Sequence, residues 1–128
     1  MSSGTVDVVR ANSEAFSRRD VDSMLEFFAP DAAVRDRRSV GWGDFLGRDA
    51  IRAYYEGLFD NVEEIYEDLT VASAAGDVVV ASCHTTARLA GQPDAAIVTF
   101  DYALKVTVAD GRITALEIYE DAKAAGVP

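Results

Sequence analysis

The chain has 128 residues, 49% of them apolar and 27% charged, which is one domain's worth of chain with enough apolar side chains for its own core. That composition excludes wholesale disorder. The formal net charge of −10 repels phosphate backbones and anionic lipid, so no nucleic-acid or membrane partner is expected.

Val6, Val9, Ser13 and Phe16 recur at spacings of three and four and predict a helix over Thr5–Arg18. Asp20 reads as the N-cap of a second helix, with Val21, Met24, Leu25 and Phe28 on one stripe and a stop before Pro30. Ala32–Asp36 predicts a short strand. Arg37–Gly47 is rich in glycine and predicts a loop that holds Trp42 and Phe45. Arg48–Leu58 predicts a third helix with Ile51, Tyr54, Tyr55 and Leu58 on one face.

Past Asn61 the period changes to two. Ile65, Glu67, Leu69 and Val71 alternate with Glu64, Tyr66, Asp68 and Thr70, and Gly76-Asp77 marks a turn. Val78–Leu89 and Ile97–Val108 predict long strands, separated by a turn at Gly91-Gln92-Pro93-Asp94. Val98, Phe100, Tyr102, Leu104, Val106 and Val108 share one face. Asp110-Gly111 predicts a hairpin into a last strand, Arg112–Tyr119, and the tail from Ala122 to Pro128 is expected to fray. The whole is a single α+β domain over residues 1–128, with an ordered core over about 6–121. One cysteine, Cys83, excludes an internal disulfide, and one histidine excludes a multi-histidine metal site within the chain. No apolar run approaches the roughly 18 residues of a membrane span, and Met1–Thr5 lacks a basic stretch followed by an apolar core, so a cytoplasmic protein is expected.

The order helix–helix–strand–helix–long strands, with Phe27-Phe28-Ala29-Pro30-Asp31-Ala32-Ala33-Val34 and then Gly47-Arg48-Asp49-Ala50-Ile51-Arg52-Ala53-Tyr54-Tyr55, resembles the nuclear-transport-factor-2-like superfamily. Its SnoaL-like branch, akin to ketosteroid isomerases, polyketide cyclases and limonene-epoxide hydrolases, is the nearest in pattern. Asp110-Gly111-Arg112-Ile113 and Glu117-Ile118-Tyr119-Glu120-Asp121 fit as well, so the resemblance runs from about Val6 to Asp121. It implies a cone-shaped α+β barrel: three N-terminal helices packed on a curved, mainly antiparallel sheet that encloses a pocket.

The resemblance also implies site residues. Asp36 falls where the isomerases keep their catalytic base, and a carboxylate in an apolar pocket carries protons near neutral pH. Its alternative is an ion pair with Arg35, Arg37 or Arg38 at a loop mouth. By register from Gly76, His84 falls where the epoxide hydrolases carry a catalytic Asp; its alternative is a hydrogen-bonded strand residue. Tyr55 matches an isomerase tyrosine beside the oxyanion site, or is a core residue. The isomerases' helix-one tyrosine falls on Asn12, their acidic strand position on Leu104, and the hydrolases' last catalytic Asp on Ile118. Neither the full isomerase pair nor the full hydrolase triad is present. Trp42, with Phe45, either lids the pocket or covers the core edge. Asp36 and His84 are thus expected to line one cavity with Asn12, Trp42, Tyr55, Tyr102, Leu104 and Ile118. Cys83 is expected on the opposite face of its strand, and Glu63, Glu64, Glu67 and Asp68 at a solvated edge.

Two functions remain open from sequence. One is an enzyme without cofactor or metal, doing acid–base cyclisation, isomerisation or hydrolysis on a small, largely apolar molecule. The other is a non-catalytic binder of a small hydrophobic ligand, or an assembly module. Apolar residues on both faces of the long strands predict a homodimer through the sheet.

Overall fold

Helix α1 (Ser2–Ser17) buries Val9, Asn12, Ser13, Ala15 and Phe16, the stripe predicted by the spacing of Val9, Ser13 and Phe16. The structure, a computed structural model, describes residues 2–39, 41–91 and 96–128, and for Ser2 and Ser3 the backbone alone. Helix α2 (Val21–Glu26) is capped as expected: the Ser23 N–H donates to the Asp20 carboxylate at 3.1 Å. Strand β1 (Phe28–Asp36) begins before Pro30, earlier than expected, and its pairing is irregular between Phe28 and Ala33, where the proline has no N–H to give. The glycine-rich segment holds a three-residue strand, β2 (Asp44–Leu46), hydrogen-bonded to β1. Helix α3 (Gly47–Asp60) buries Ile51, Tyr55 and Phe59.

Four long strands follow: β3 (Val62–Ala75), β4 (Val78–Leu89), β5 (Ile97–Ala109) and β6 (Arg112–Tyr119). Asp110 and Gly111 both have positive φ, 53° and 76°, as the tight hairpin turn between β5 and β6 requires. Of the turn expected at Gly91–Asp94, Gln92, Pro93 and Asp94 lie outside the described residues. The sheet order is β2-β1-β6-β5-β4-β3, antiparallel except where β1 runs parallel to β6. With β2 and β3 as its two edges the sheet is open, and the helices packed on it complete the cone, which is the expected α+β architecture. Helix α1 packs on β3 and α3 on β1. The tail is not frayed throughout: Ala125 is buried, and its N–H donates to the Asp121 carbonyl.

The register decides which side chains face the helices. Cys83 pairs with Tyr102, Ala81 with Leu104, and Leu104 in turn with Ile118. Val79, Ala81, Cys83, Thr85 and Ala87 are buried on the helix side of β4, whereas Ser82 and His84 between them are exposed on the outer face. The expectation for this strand is thereby reversed: Cys83 points inward and His84 outward. Period two is legible in β4 but the choice of face is not, because Val78-Val79-Val80-Ala81 is apolar on both sides.

Candidate functional site

A cavity of about 480 Å³ lies between the three helices and the inner face of the sheet. Its walls are mostly apolar, with Phe16 and Met24 from the first helices, Tyr54, Tyr55 and Leu58 from α3, and Leu104, Leu116 and Ile118 from the sheet. Tyr54 is fixed by stacking on Phe45, with ring centroids 4.5 Å apart, and Tyr55 by an edge contact with Phe16. Among the described residues that line it, two are charged: Glu67 and Arg38.

Glu67 stands on β3 between Ile65 and Leu69, on the inward side of the alternation, and is 8% exposed. Both of its oxygens are engaged. The Ser13 hydroxyl donates to Oε1 at 2.6 Å, and the Tyr102 hydroxyl donates to Oε2. The single Tyr102 proton is thus committed, so the Thr85 hydroxyl, 2.7 Å away, donates to the Tyr102 oxygen. The Glu67 N–H donates to the Ser17 hydroxyl at 2.9 Å and ties β3 to α1. Burial pushes the Glu67 carboxyl up, and the hydroxyl bonds from Ser13 and Tyr102 offset that only in part, so it titrates above the ordinary carboxylate value. Burial, with the neighbouring Glu67 charge, also pushes the Tyr102 phenol well up, so it keeps its proton for Glu67. The expectation of a solvated edge holds for Glu63, Glu64 and Asp68, which are exposed, and fails for Glu67. A signal for it was present, since Glu67 shares the parity of Ile65, Leu69 and Val71.

Asp36, at the end of β1, is paired with Arg38. The guanidinium donates to both carboxylate oxygens, from Nε at 2.9 Å and from Nη2 at 2.7 Å, and the backbone N–H groups of Arg38 and Trp42 add bonds of 3.1 Å each. The Asp36 side chain is 1% exposed and that of Arg38 23%. Burial alone would raise the Asp36 carboxyl, but the Arg38 guanidinium and the two backbone donors together hold it below the ordinary value. Asp36 therefore stays ionised, with its oxygens occupied, and stands behind Arg38 outside the set of cavity-lining residues. The guanidinium carbon of Arg38 lies 6.0 Å from the centre of the Tyr102 ring, so one tyrosine links the cationic and carboxyl parts of the wall.

The structure brings Asn12, Trp42, Tyr55, Tyr102, Leu104 and Ile118 to this cavity, all six of the residues expected to contact a ligand. Trp42 is 74% exposed and sits at the rim. It does not bring His84 there. His84 lies on the outer face, where its Nδ1 is 2.7 Å from Asp101 Oδ1, across the strand pair from β4 to β5. The expectation that Asp36 and His84 share one cavity is corrected by the parity of β4. Among the described residues, no group of three or more His, Cys, Asp and Glu side chains is arranged to hold a metal.

An open, mostly antiparallel sheet with three helices over an apolar cavity carrying a few polar groups defines a cone-fold protein with an internal pocket. The SnoaL-like domain model matches residues 9–116, and the chain belongs to that family. A comparison with curated proteins found no match. Solved structures do match. A candidate polyketide cyclase from Xanthomonas campestris pv. campestris is 26% identical, with 98% of each chain covered and a TM-score of 0.77. A protein with a ketosteroid isomerase-like fold from Catenulispora acidiphila, in complex with trimethylamine, is 21% identical over 94% of this chain and 93% of its own, with a TM-score of 0.76. The epoxide hydrolase/cyclase-like enzyme SalBIII, of pyran ring formation in the polyether salinomycin, is 18% identical over 97% of each chain, with a TM-score of 0.79. The last two likenesses concern the fold.

Proposed function

We propose that this protein is an enzyme that moves protons on a small, largely apolar substrate, in a cyclisation, isomerisation or hydrolysis, with Glu67 as the acid–base group. The observation that carries the reading is a buried carboxyl with a raised pKa on the wall of an apolar cavity, held by two hydroxyl donors. As a base, ionised Glu67 takes a proton from a substrate carbon, and the Ser13 and Tyr102 hydroxyls orient its carboxylate. Negative charge then develops on a substrate oxygen, which the Arg38 guanidinium stabilises. The proton returns to another carbon in an isomerisation; in a ring closure the enolate carbon attacks a carbonyl carbon of the same substrate, the C=O π electrons pass to its oxygen, and Glu67 returns the proton to that oxygen. Asp36 is a positioning residue in this scheme, fixing Arg38. The steps need a proton carrier and a cation, and no redox or metal chemistry is invoked. The candidate polyketide cyclase supports the reading by its similarity over nearly the whole chain.

Two further parts of the proposal concern setting. A homodimer would use the outer face of the sheet, where Tyr66 and Ile97 are 62% and 63% exposed. No helix among the described residues is long and apolar enough to cross a membrane, and a cytoplasmic site of action is in keeping with that.

The test is solvent-deuterium incorporation, followed by NMR, at carbons next to the carbonyl in a panel of enolisable apolar ketones. The protein should accelerate exchange for at least one, and Glu67→Gln should slow it by about 10²–10⁴-fold, the usual scale for a general base. No acceleration across the panel, or acceleration that survives Glu67→Gln, would contradict the reading and leave binding of a hydrophobic ligand as the function.

A further inference from the structure

We infer that the substrate is an apolar 2-oxo acid, held by its carboxylate and the adjacent keto oxygen on the free edge of the Arg38 guanidinium. The inference rests on the reading of this cavity as the working site and names the class of molecule it takes. A guanidinium is planar and presents two edges that each carry a pair of parallel N–H donors. Asp36 occupies the first of these: Nε donates to Oδ1 at 2.9 Å and Nη2 to Oδ2 at 2.7 Å. The second edge, made by the other Nη2 hydrogen and one on Nη1, meets no acceptor among the described residues. Nor is Nη1 sealed in protein, since the one fully buried side-chain nitrogen or oxygen without a partner, among those residues, is Oδ1 of Asn12. Arg38 lines the cavity with its guanidinium carbon 6.0 Å from the centre of the Tyr102 ring, and its side chain, 23% exposed, keeps some contact with water.

The chemistry of the ligand follows from that edge. It asks for two acceptors side by side in one plane, and its charge favours an anion. A phosphate would bring a second negative charge to a cation that Asp36 already balances. A plain carboxylate would fill both N–H groups and leave no carbonyl oxygen on Arg38 for the charge that Glu67 develops. A 2-oxo acid meets both demands, because its keto oxygen lies beside one carboxylate oxygen in the same plane. When Glu67 takes a proton from C3, the C–H electron pair forms the C2=C3 bond and the C2=O π pair moves to the oxygen already held by Arg38. The carboxylate shares the partial hydration of Arg38, whereas the rest of the ligand must be apolar to replace water along Phe16, Met24, Leu104 and Leu116.

The probe is 4-phenyl-2-oxobutanoate, with two matched controls. In 4-phenylbutan-2-one a methyl group replaces the carboxylate, and in 4-phenylbutanoate a methylene replaces the keto carbonyl. Calorimetric titration at neutral pH should show the wild-type protein binding the oxo acid at least about tenfold more tightly than either control, the scale of one net hydrogen bond to a charged group. Arg38→Lys keeps a cation beside Asp36 but offers no pair of parallel N–H groups, so it should bring both ratios below about threefold. Arg38→Gln is the second variant. His84→Gln, on the outer face, should leave both ratios unchanged. A wild-type ratio near one against either control, no binding of the oxo acid, or ratios that survive the Arg38 variants would overturn the inference. The wild-type ratios decide by themselves should neither Arg38 variant fold. The outcome is separable from the acid–base reading. Glu67-dependent deuterium exchange in ketones, without a preference for the oxo acid, would remove the inference and leave that reading; the preference without any exchange would do the reverse.

Discussion

At Asp36 four donors converge on one carboxylate, from the Arg38 side chain and backbone and the Trp42 backbone. Removing that charge leaves a guanidinium that keeps partial access to water, so Asp36→Asn should cost about 2–3 kcal/mol by denaturant unfolding, below the roughly 3–5 of a fully buried pair. The pair's contribution is present above the ordinary carboxylate value of 3.8 and is lost as pH falls through the depressed folded value. Gly41 makes the turn possible. A Cβ there would lie 2.7 Å from the Asp36 carbonyl oxygen and 2.9 Å from that of Arg38, so Gly41→Ala must displace the loop that aims Arg38. Glu67 has the opposite sign. Its folded pKa is raised, so its neutral form favours the native state, and that advantage is full below the ordinary value of 4.5 and lost as pH rises through the folded value. The melting temperature of Glu67→Gln minus that of wild type should therefore grow as pH rises above 4.5. A difference that stays flat with pH would show that Glu67 is not desolvated.

Among the elements, β4 and β6 end at the residues that the alternation and the turns at Gly76-Asp77 and Asp110-Gly111 predict, because a two-residue period and a turn fix a strand's limits locally. Facing is a tertiary property. In β4 it is set by pairing with β5, which the local pattern does not encode, so the side of His84 is not legible in the sequence. In β3 the pattern did encode it, but an acidic run between Glu63 and Asp68 reads by composition as a solvated edge and masks the one carboxyl whose parity is apolar. The resemblance places Asn12 in the cavity, whereas the irregular pairing of β1 and its start at Phe28, ahead of the expected Ala32, have no local signal beyond Pro30. A consequence at this scale concerns His84. Its exposed pair with Asp101 is remote from the cavity, so His84→Gln should change stability by no more than about 0.5 kcal/mol and leave deuterium exchange within twofold of wild type. A loss approaching that of Glu67→Gln would mean that the proton path runs through the outer face.

For the whole molecule, the fold sets a buried carboxyl inside and leaves a broad polar sheet face outside. Tyr66 and Ile97 on that face, beside exposed Thr99 and Asp101, fit a two-fold contact with charges at the rim. Sedimentation equilibrium at tens of micromolar should give a dimer mass, and Tyr66→Lys with Ile97→Lys should shift it to monomer; a wild-type monomer would contradict the contact. The account as a whole depends on the protonation of Glu67. Carbon-13 NMR of the side-chain carboxyls, with Glu67 assigned by its absence in Glu67→Gln, measures that directly. A resonance with a midpoint above 4.5 is the predicted result. A midpoint at or below 4.5 would contradict it.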